Sequence, residues 1–310
     1  MSRYIVKRLI MMIPILFGVI FVVFFIMSLL PGDPGRMILG MGATAEDVAA
    51  YNHALGVDRP FLIRFADYIV NLFRGDFGVS YRSMMPVTDE ISACFSYSLI
   101  LAVAGSILAY LIGIPLGLIS AVRQNGIIDV SGTILSMLLA SIPQFWLGLM
   151  MILLFSLNLK LLPTSGIGSF KNYIMPVIVI ALPQAAVTSR LTRASMLDCI
   201  SQDYVRTAKA KGLSRTVVIW KHTFKNALLP IISTLITSFG VSLGGTVVVE
   251  NIFSIPGIGN LLLESIKSKD VPIVMAATIL LSVIYCVFIL IADIVVAYID
   301  PRIREIYLKK

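Results

Sequence analysis

The sequence predicts an all-α membrane protein with six transmembrane helices. Three observations carry that expectation. Of the 310 residues, 58% are hydrophobic and only 14% charged, with a mean hydropathy of +0.93; a soluble domain carries nearer a quarter charged residues. Several apolar runs reach the roughly 20 residues needed to cross a bilayer. The runs are continuous rather than alternating, which is the pattern of helices and not of barrel strands.

The first unit, 1–30, is a short basic start (Arg3, Lys7, Arg8) and an apolar run from about Leu9 to Leu30. The run lacks a small-residue cleavage pattern, so it reads as a retained first span rather than a signal peptide. Pro31, Gly32, Asp33 and Pro34 stop it, because proline cannot continue a helix. Residues 31–96 are too polar to face lipid and too short for a large core. They read as a cap on the membrane part, with an amphipathic piece at Phe61–Phe73 whose Phe61, Ile63, Phe65, Tyr68, Ile69 and Phe73 are expected to pack inward.

The third unit, 97–299, holds the remaining spans. Span 2 is expected at about Ser98 to Val122, span 3 at Val130 to Leu157, span 4 at Tyr173 to Leu191, span 5 at Ala227 to Val249 and span 6 at Ile273 to Ile299. Residues 250–272, broken by Pro256, Gly257 and Gly259, read as a surface or re-entrant turn with a short helix. Residues 192–226 form a polar, basic loop, and 300–310 a basic tail.

Six spans place both termini on one side. That side collects Arg3, Lys7, Arg8, Arg123, the cations of the 192–226 loop and those of the tail, the larger share of the 25 Lys and Arg. The positive-inside rule therefore puts the termini and the loop in the cytoplasm. It also accounts for the net charge of +8 without a nucleic-acid partner. Cys94, Cys199 and Cys286 are scattered and give neither a metal spacing nor a disulfide framework.

From within this loop into the start of span 5 runs the stretch Asp203 to Pro230, DYVRTAKAKGLSRTVVIWKHTFKNALLP. It reads as two short helices hinged at Gly212, which can take the left-handed conformation that ends a helix, with Ser214 capping the second. Within the spans, Gly113 and Gly117, and Gly240 and Gly244, have the spacing that lets helices approach closely, whether inside one bundle or at a dimer seam. Ser141, Gln144, Gln184, Thr188, Thr237 and Ser238 are candidates to line a hydrated path, or else to bond between helices. Asp293 in span 6 is an ionisable residue at membrane depth, a functional candidate or the partner of a nearby Arg. The sequence has no phosphate-binding loop and no HExxH, GxSxG or CxxC motif. Uphill transport by this chain would need an energy source on another chain. A secondary transporter would call for inverted repeats and intramembrane charges, and a membrane protease for a nucleophile and base in reach; neither pattern is evident.

Arg206-Thr207-Ala208, three residues, then Gly212 resembles the EAA loop of binding-protein-dependent ABC transporter permeases, and His222, Asn226 and Pro230 continue the peptide-branch pattern as HTFKNALLP. The resemblance extends over nearly the whole chain, through YIVKRLI, LLPGDP at 29–34, LGVDRP at 55–60, RGDFGVS at 74–80, IPQFWLG at 142–148, LPTSG at 162–166, ENIFSIPGIG at 250–259 and DPRIRE at 300–305. The chain looks like the first permease subunit of dipeptide or oligopeptide importers, a group that includes nickel and glutathione systems. It departs from the general pattern at Arg206, where Glu is usual, and at Lys225, where a proline is.

The resemblance implies a type I ABC importer permease fold with an extracytoplasmic loop region after helix 1. It implies peptide import across the inner membrane, with nickel or glutathione as alternatives, and neither cofactor nor enzymatic activity in this chain. The implied partners are a second permease subunit, cytoplasmic ATP-binding subunits, an extracytoplasmic solute-binding protein and the lipid membrane. The coupling residues would be Asp203, Tyr204, Arg206, Thr207, Ala208, Lys211, Gly212, Leu213, His222 and Asn226. Ala208 would let the elbow helix seat closely in an ATPase groove.

Overall fold

The computed structural model describes residues 2–29, 34–40 and 42–299. The stop signal at 31–33 and the basic tail at 300–310 lie outside them. Among the described residues the chain is mostly helical and has no strand, only an isolated antiparallel bridge between Val79 and Pro86. Five helices are long and apolar enough to cross a membrane, and a bent pair counted as one span makes the sixth.

Helix α1 (Ser2–Leu29) is followed by α2 (Pro34–Leu39), α3 (Ala45–Ala54) and α4 (Phe61–Phe73). The amphipathic piece expected at 61–73 is a helix with those bounds. Its stripe of Phe61, Phe65, Tyr68, Ile69 and Leu72, at helical spacing, packs on Phe24 of α1 and Met275 of the last helix. The rings of Phe21 and Phe65 meet edge to face at 5.3 Å. Ile63 and Phe73 lie off that stripe and are exposed, against the expectation that they pack inward.

Helix α5 (Val87–Val122) starts well before the expected span. Asp89 and Glu90 in its first turn complement the helix dipole, so the helix continues beyond the apolar run. It lies against α8 (Lys171–Ile200). At Gly113 a Cβ would sit 2.7 Å from the Ala185 carbonyl oxygen, and at Gly117 it would overlap the carbonyl oxygen of Ser189. These glycines therefore serve a seam inside the chain. Gly240 does the same against the last helix, where a Cβ would meet Phe288 at 3.0 Å; Gly244 has open space around it.

The third span is not straight. Helices α6 (Ile127–Ser141) and α7 (Gln144–Met151, continuing as a wide π turn over Ile152–Asn158) meet at 96°. Pro143 lacks an N–H and disfavours the helical region for its predecessor; Ile142 is extended, at φ −78° and ψ 122°. The apolar run continues through the break, which is why it reads as one span.

After α8 come α9 (Asp203–Ala210), a short α10 (Arg215–Val217) that widens into a π segment (Val218–Phe224), and α11 (Lys225–Ile252). Two corrections follow. Helix α8 runs nine residues into the expected loop. The second elbow helix is not separate, because α10, the π segment and α11 run on without a break. The buried Thr223 hydroxyl donates to the Val218 carbonyl at 3.1 Å, satisfying an acceptor in the wide turn.

The 250–272 stretch folds around Glu250, which is fully buried. Ser98 of α5 donates to one of its carboxylate oxygens (2.7 Å) and accepts from the Ile258 N–H (2.8 Å), while the Asn260 N–H donates to the other oxygen (3.0 Å). The carboxylate thus caps α12 (Ile258–Lys267). A Cβ at Gly257 would overlap it, so the glycine is required by the close approach. The last helix, α13 (Val271–Ile299), is tied to the loop before α5 through Asp270, which accepts from the Ser80 hydroxyl at 2.5 Å. Asp293 pairs with Arg8 of α1 at 3.2 Å, the Arg partnership that its depth in the span suggested.

The elbow and a polar concavity

The elbow is built from α9 and the start of the α10–α11 helix. Gly212, at φ +77°, occupies the left-handed conformation that costs a side-chain-bearing residue about 1–2 kcal/mol. Two bonds close the end of α9. The Gly212 N–H donates to Lys209 at 3.0 Å and the Leu213 N–H to Ala208 at 3.4 Å, the crossed pair of a Schellman turn. Ser214 stands at the head of the next helix, but its side chain makes no capping bond.

Ala208 faces inward. It is buried with Val205 and Val218, so its small size serves packing of α9 on the π segment rather than an outward contact. Asp203, Tyr204, Arg206, Thr207, Lys211 and Leu213 are exposed. Arg206 and Asp203 approach to 3.6 Å across one turn, an exposed pair that contributes little. The Thr207 hydroxyl donates to the Asp203 carbonyl at 2.9 Å. Asn226 donates to the His222 carbonyl at 2.8 Å, and the Tyr204 hydroxyl sits against Cys199 and Asn226. Partial burial, with the Cys199 contact second, pushes the Tyr204 hydroxyl above its usual range.

A concavity of about 480 Å³ lies between α7, α8 and α11. Gln144, Gln184, Thr237 and Ser238 line it, as do Ser233, Thr234 and Ser242. Thr188 is instead buried against Gly113. Ser141 is exposed, donates to the Met137 carbonyl at 2.8 Å, and does not line the concavity. Four of the six candidates are thus brought together. Sequence reasoning missed Tyr110, whose hydroxyl accepts from Gln184 (3.1 Å) and donates to the Leu235 carbonyl (2.8 Å). Its signal was a phenol inside an apolar run, which needs a partner when buried. The lining is uncharged; most of its surface is apolar, from residues such as Ile180, Pro183, Val187 and Val241, with hydroxyls and amides set into it.

A bundle of membrane-crossing helices that carries an open, uncharged concavity dotted with hydroxyls and amides, and a basic elbow, has the architecture of a transport permease. The comparisons specify it further. Residues 113–305 match the family described as "Binding-protein-dependent transport system inner membrane component", and residues 1–102 match its N-terminal companion. The chain belongs to that family of ABC importer membrane components. Among its relatives are proteins named glutathione transport system permease protein GsiC, from Salmonella typhimurium and from Escherichia coli K12. Each is 40% identical over 304 residues, 98% of this chain and 99% of the relative. The crystal structure of an amino acid ABC transporter with histidines shares the fold, with a TM-score of 0.50 and 17% identity over 69% of this chain and 94% of that one.

Proposed function

We propose that this chain is one of two permease subunits in an ATP-driven importer of short peptides. The elbow docks on a cytoplasmic ATP-binding subunit, and a solute-binding protein delivers substrate to the opposite face. Both termini lie in the cytoplasm, as the distribution of Lys and Arg supports. One observation carries the reading. The two helices that leave the elbow, α8 and α11, are also two walls of the concavity, and they set Gln184 of α8 and Thr237 and Ser238 of α11 into it. Closure of an ATPase dimer would displace the elbow and so both walls, a rigid-body switch between inward- and outward-facing states. Neutral donors and acceptors in the concavity suit peptide amides and do not select by charge.

A second reading, glutathione, is favoured by the relatives named for it; glutathione is itself a small peptide with similar amides. The test is uptake into proteoliposomes holding the complete complex, with radiolabelled trialanine, glutathione and a nickel chelate compared. ATP-dependent uptake of trialanine or glutathione is expected. Uptake of the nickel chelate alone would overturn the peptide reading, and uptake that ignores ATP would overturn the importer.

A further inference from the structure

Helix α6 presents most of its surface outward. Ile127, Ile128, Val130, Ile134, Leu135, Met137 and Leu138 are all exposed, and only Asp129 and Ser136 are buried. Asp129 is its one charged residue. Its carboxylate is held from three sides. Arg193 of α8 grips both oxygens, Nε to Oδ1 at 2.5 Å and Nη2 to Oδ2 at 2.8 Å. The Asn125 N–H donates to Oδ2 at 2.9 Å, and the Ser120 hydroxyl at the end of α5 donates to Oδ1. A bidentate Arg–carboxylate pair fixes orientation as well as distance. The pair sits where α5 and α8 approach closely, since a Cβ at Gly117 would also meet the Arg193 backbone nitrogen at 3.1 Å.

The position matters because of what lies at each end. Arg193 is two turns before the end of the helix that leads into the elbow at Asp203. Asp129 opens the helix that leads to the Ile142–Pro143 break, beyond which Gln144 lines the concavity.

We infer that the Asp129–Arg193 clamp makes α6 follow α8, so that a displacement of the elbow reaches Gln144 and the third wall of the concavity. Asp129 and Arg193 are positioning residues, not contacts of the transported molecule. Without the clamp, α7 would keep its own packing on α8 and α11, but α6 would no longer be driven with α8, and the Gln144 end of the wall would lag. The inference rests on the permease reading above, and its test separates the two.

The experiment uses the complete complex in proteoliposomes, with Cys94, Cys199 and Cys286 of this chain replaced by Ser and Gln144→Cys introduced. The labelling rate of the introduced thiol by a membrane-impermeant maleimide is measured without nucleotide and with ATP plus vanadate, which holds the ATPases closed. With the clamp intact, the rate is expected to change several-fold between the two conditions. In Asp129→Asn that change should vanish at matched amounts of assembled complex. Arg193→Lys keeps a cation opposite Asp129, so the carboxylate is not left unpaired, but it cannot grip both oxygens; it should reduce the change to an intermediate value. If the clamp variants respond to ATP and vanadate as fully as the parent, the clamp is overturned. If the parent itself does not respond, the permease reading falls instead.

Discussion

Glu250→Gln isolates the network that shapes the turn after α11. The substitution keeps the volume of the side chain and removes one acceptor. The carboxylate accepts from the Ser98 hydroxyl at 2.7 Å and the Asn260 N–H at 3.0 Å, in a fully buried position. An amide offers a single oxygen, so one of these donors must face an NH₂ group. Hydrogen bonds to a charged group contribute about 1.5–3 kcal/mol each, and a buried donor left unpaired costs about 1–3 kcal/mol. Loss of the negative charge at the start of α12 adds about 0.3–1 kcal/mol. Because loss of one bond and exposure of its donor describe overlapping costs, the sum is about 3 kcal/mol, roughly a hundredfold in the folded-to-unfolded ratio. Unfolding of the purified chain in mild detergent, followed by circular dichroism, measures it. Limited proteolysis should show the 253–258 turn opening first. A double-mutant cycle with Ser98→Ala should be non-additive by about 1 kcal/mol or more, since the two residues share a bond. A midpoint unchanged within error, or strict additivity with Ser98→Ala, would refute the assignment of Glu250 as the cap of α12.

Four other substitutions probe the elbow and the helix seams. Gly212→Val forces a β-branched residue to φ +77°, at a local cost of about 1–2 kcal/mol or more; membrane insertion should persist while co-purification with the ATPase and uptake are lost, and normal uptake would sink the coupling role. Ala208→Trp overfills the contact with Val205 and Val218, at about 1–3 kcal/mol, and should loosen α9 so that protease reaches the Lys209–Lys211 segment; resistance equal to that of the parent chain counts against the inward packing. Gly117→Leu places a side chain into the Ser189 backbone and should sharply reduce membrane abundance, whereas Gly244→Leu, with nothing within 4 Å, should not; equal abundance of the two variants would show that the α5–α8 contact is not this close.

Much of the fold is legible where lipid or amphipathicity supplies contrast. The apolar runs mark the spans, and the stripe of α4 gives its bounds. Helix ends outside the apolar runs carry no such contrast. The Asp89 and Glu90 turn of α5 and the Thr192–Ile200 end of α8 look like loop because polar residues in water fit helix and coil alike. The break at Pro143 was signalled locally by Ile142-Pro143, but the apolar run across it masked the signal. At the elbow, Gly212 was readable because few residue types tolerate its φ. The direction of Ala208 was not, since a small residue suits a groove on a partner as well as a seat on Val218. Contacts across long sequence separations, Ser98 with Glu250 or Asp129 with Arg193, leave no periodic trace at all.

The positive charge of the elbow is its most visible feature and the least informative about coupling. Arg206 makes an exposed pair with Asp203, and charges of that kind set orientation across the membrane more than they set the geometry of a joint. What makes the elbow a joint is its attachment. The Schellman turn and the Val205–Ala208–Val218 seat fix α9 to the helix that becomes α11. From Asn226 to Thr237 that helix rises about 16 Å at 1.5 Å per residue, and α8 rises about 24 Å from Ile200 back to Gln184. Both arms are helical over that distance, α8 without interruption and α11 with one backbone bond missing at Pro230, so a displacement of the elbow passes along them, and α8 is the stiffer arm. A change that neutralises Arg206 should therefore weaken docking in a salt-dependent way and leave the response of the concavity intact once docked. A change that unseats α9 should abolish the response even when docking persists. Measuring ATPase co-purification and thiol labelling at Gln144→Cys in the same Arg206→Gln and Ala208→Trp preparations separates the two, and matching losses in both preparations would show that charge and seat are not distinct functions.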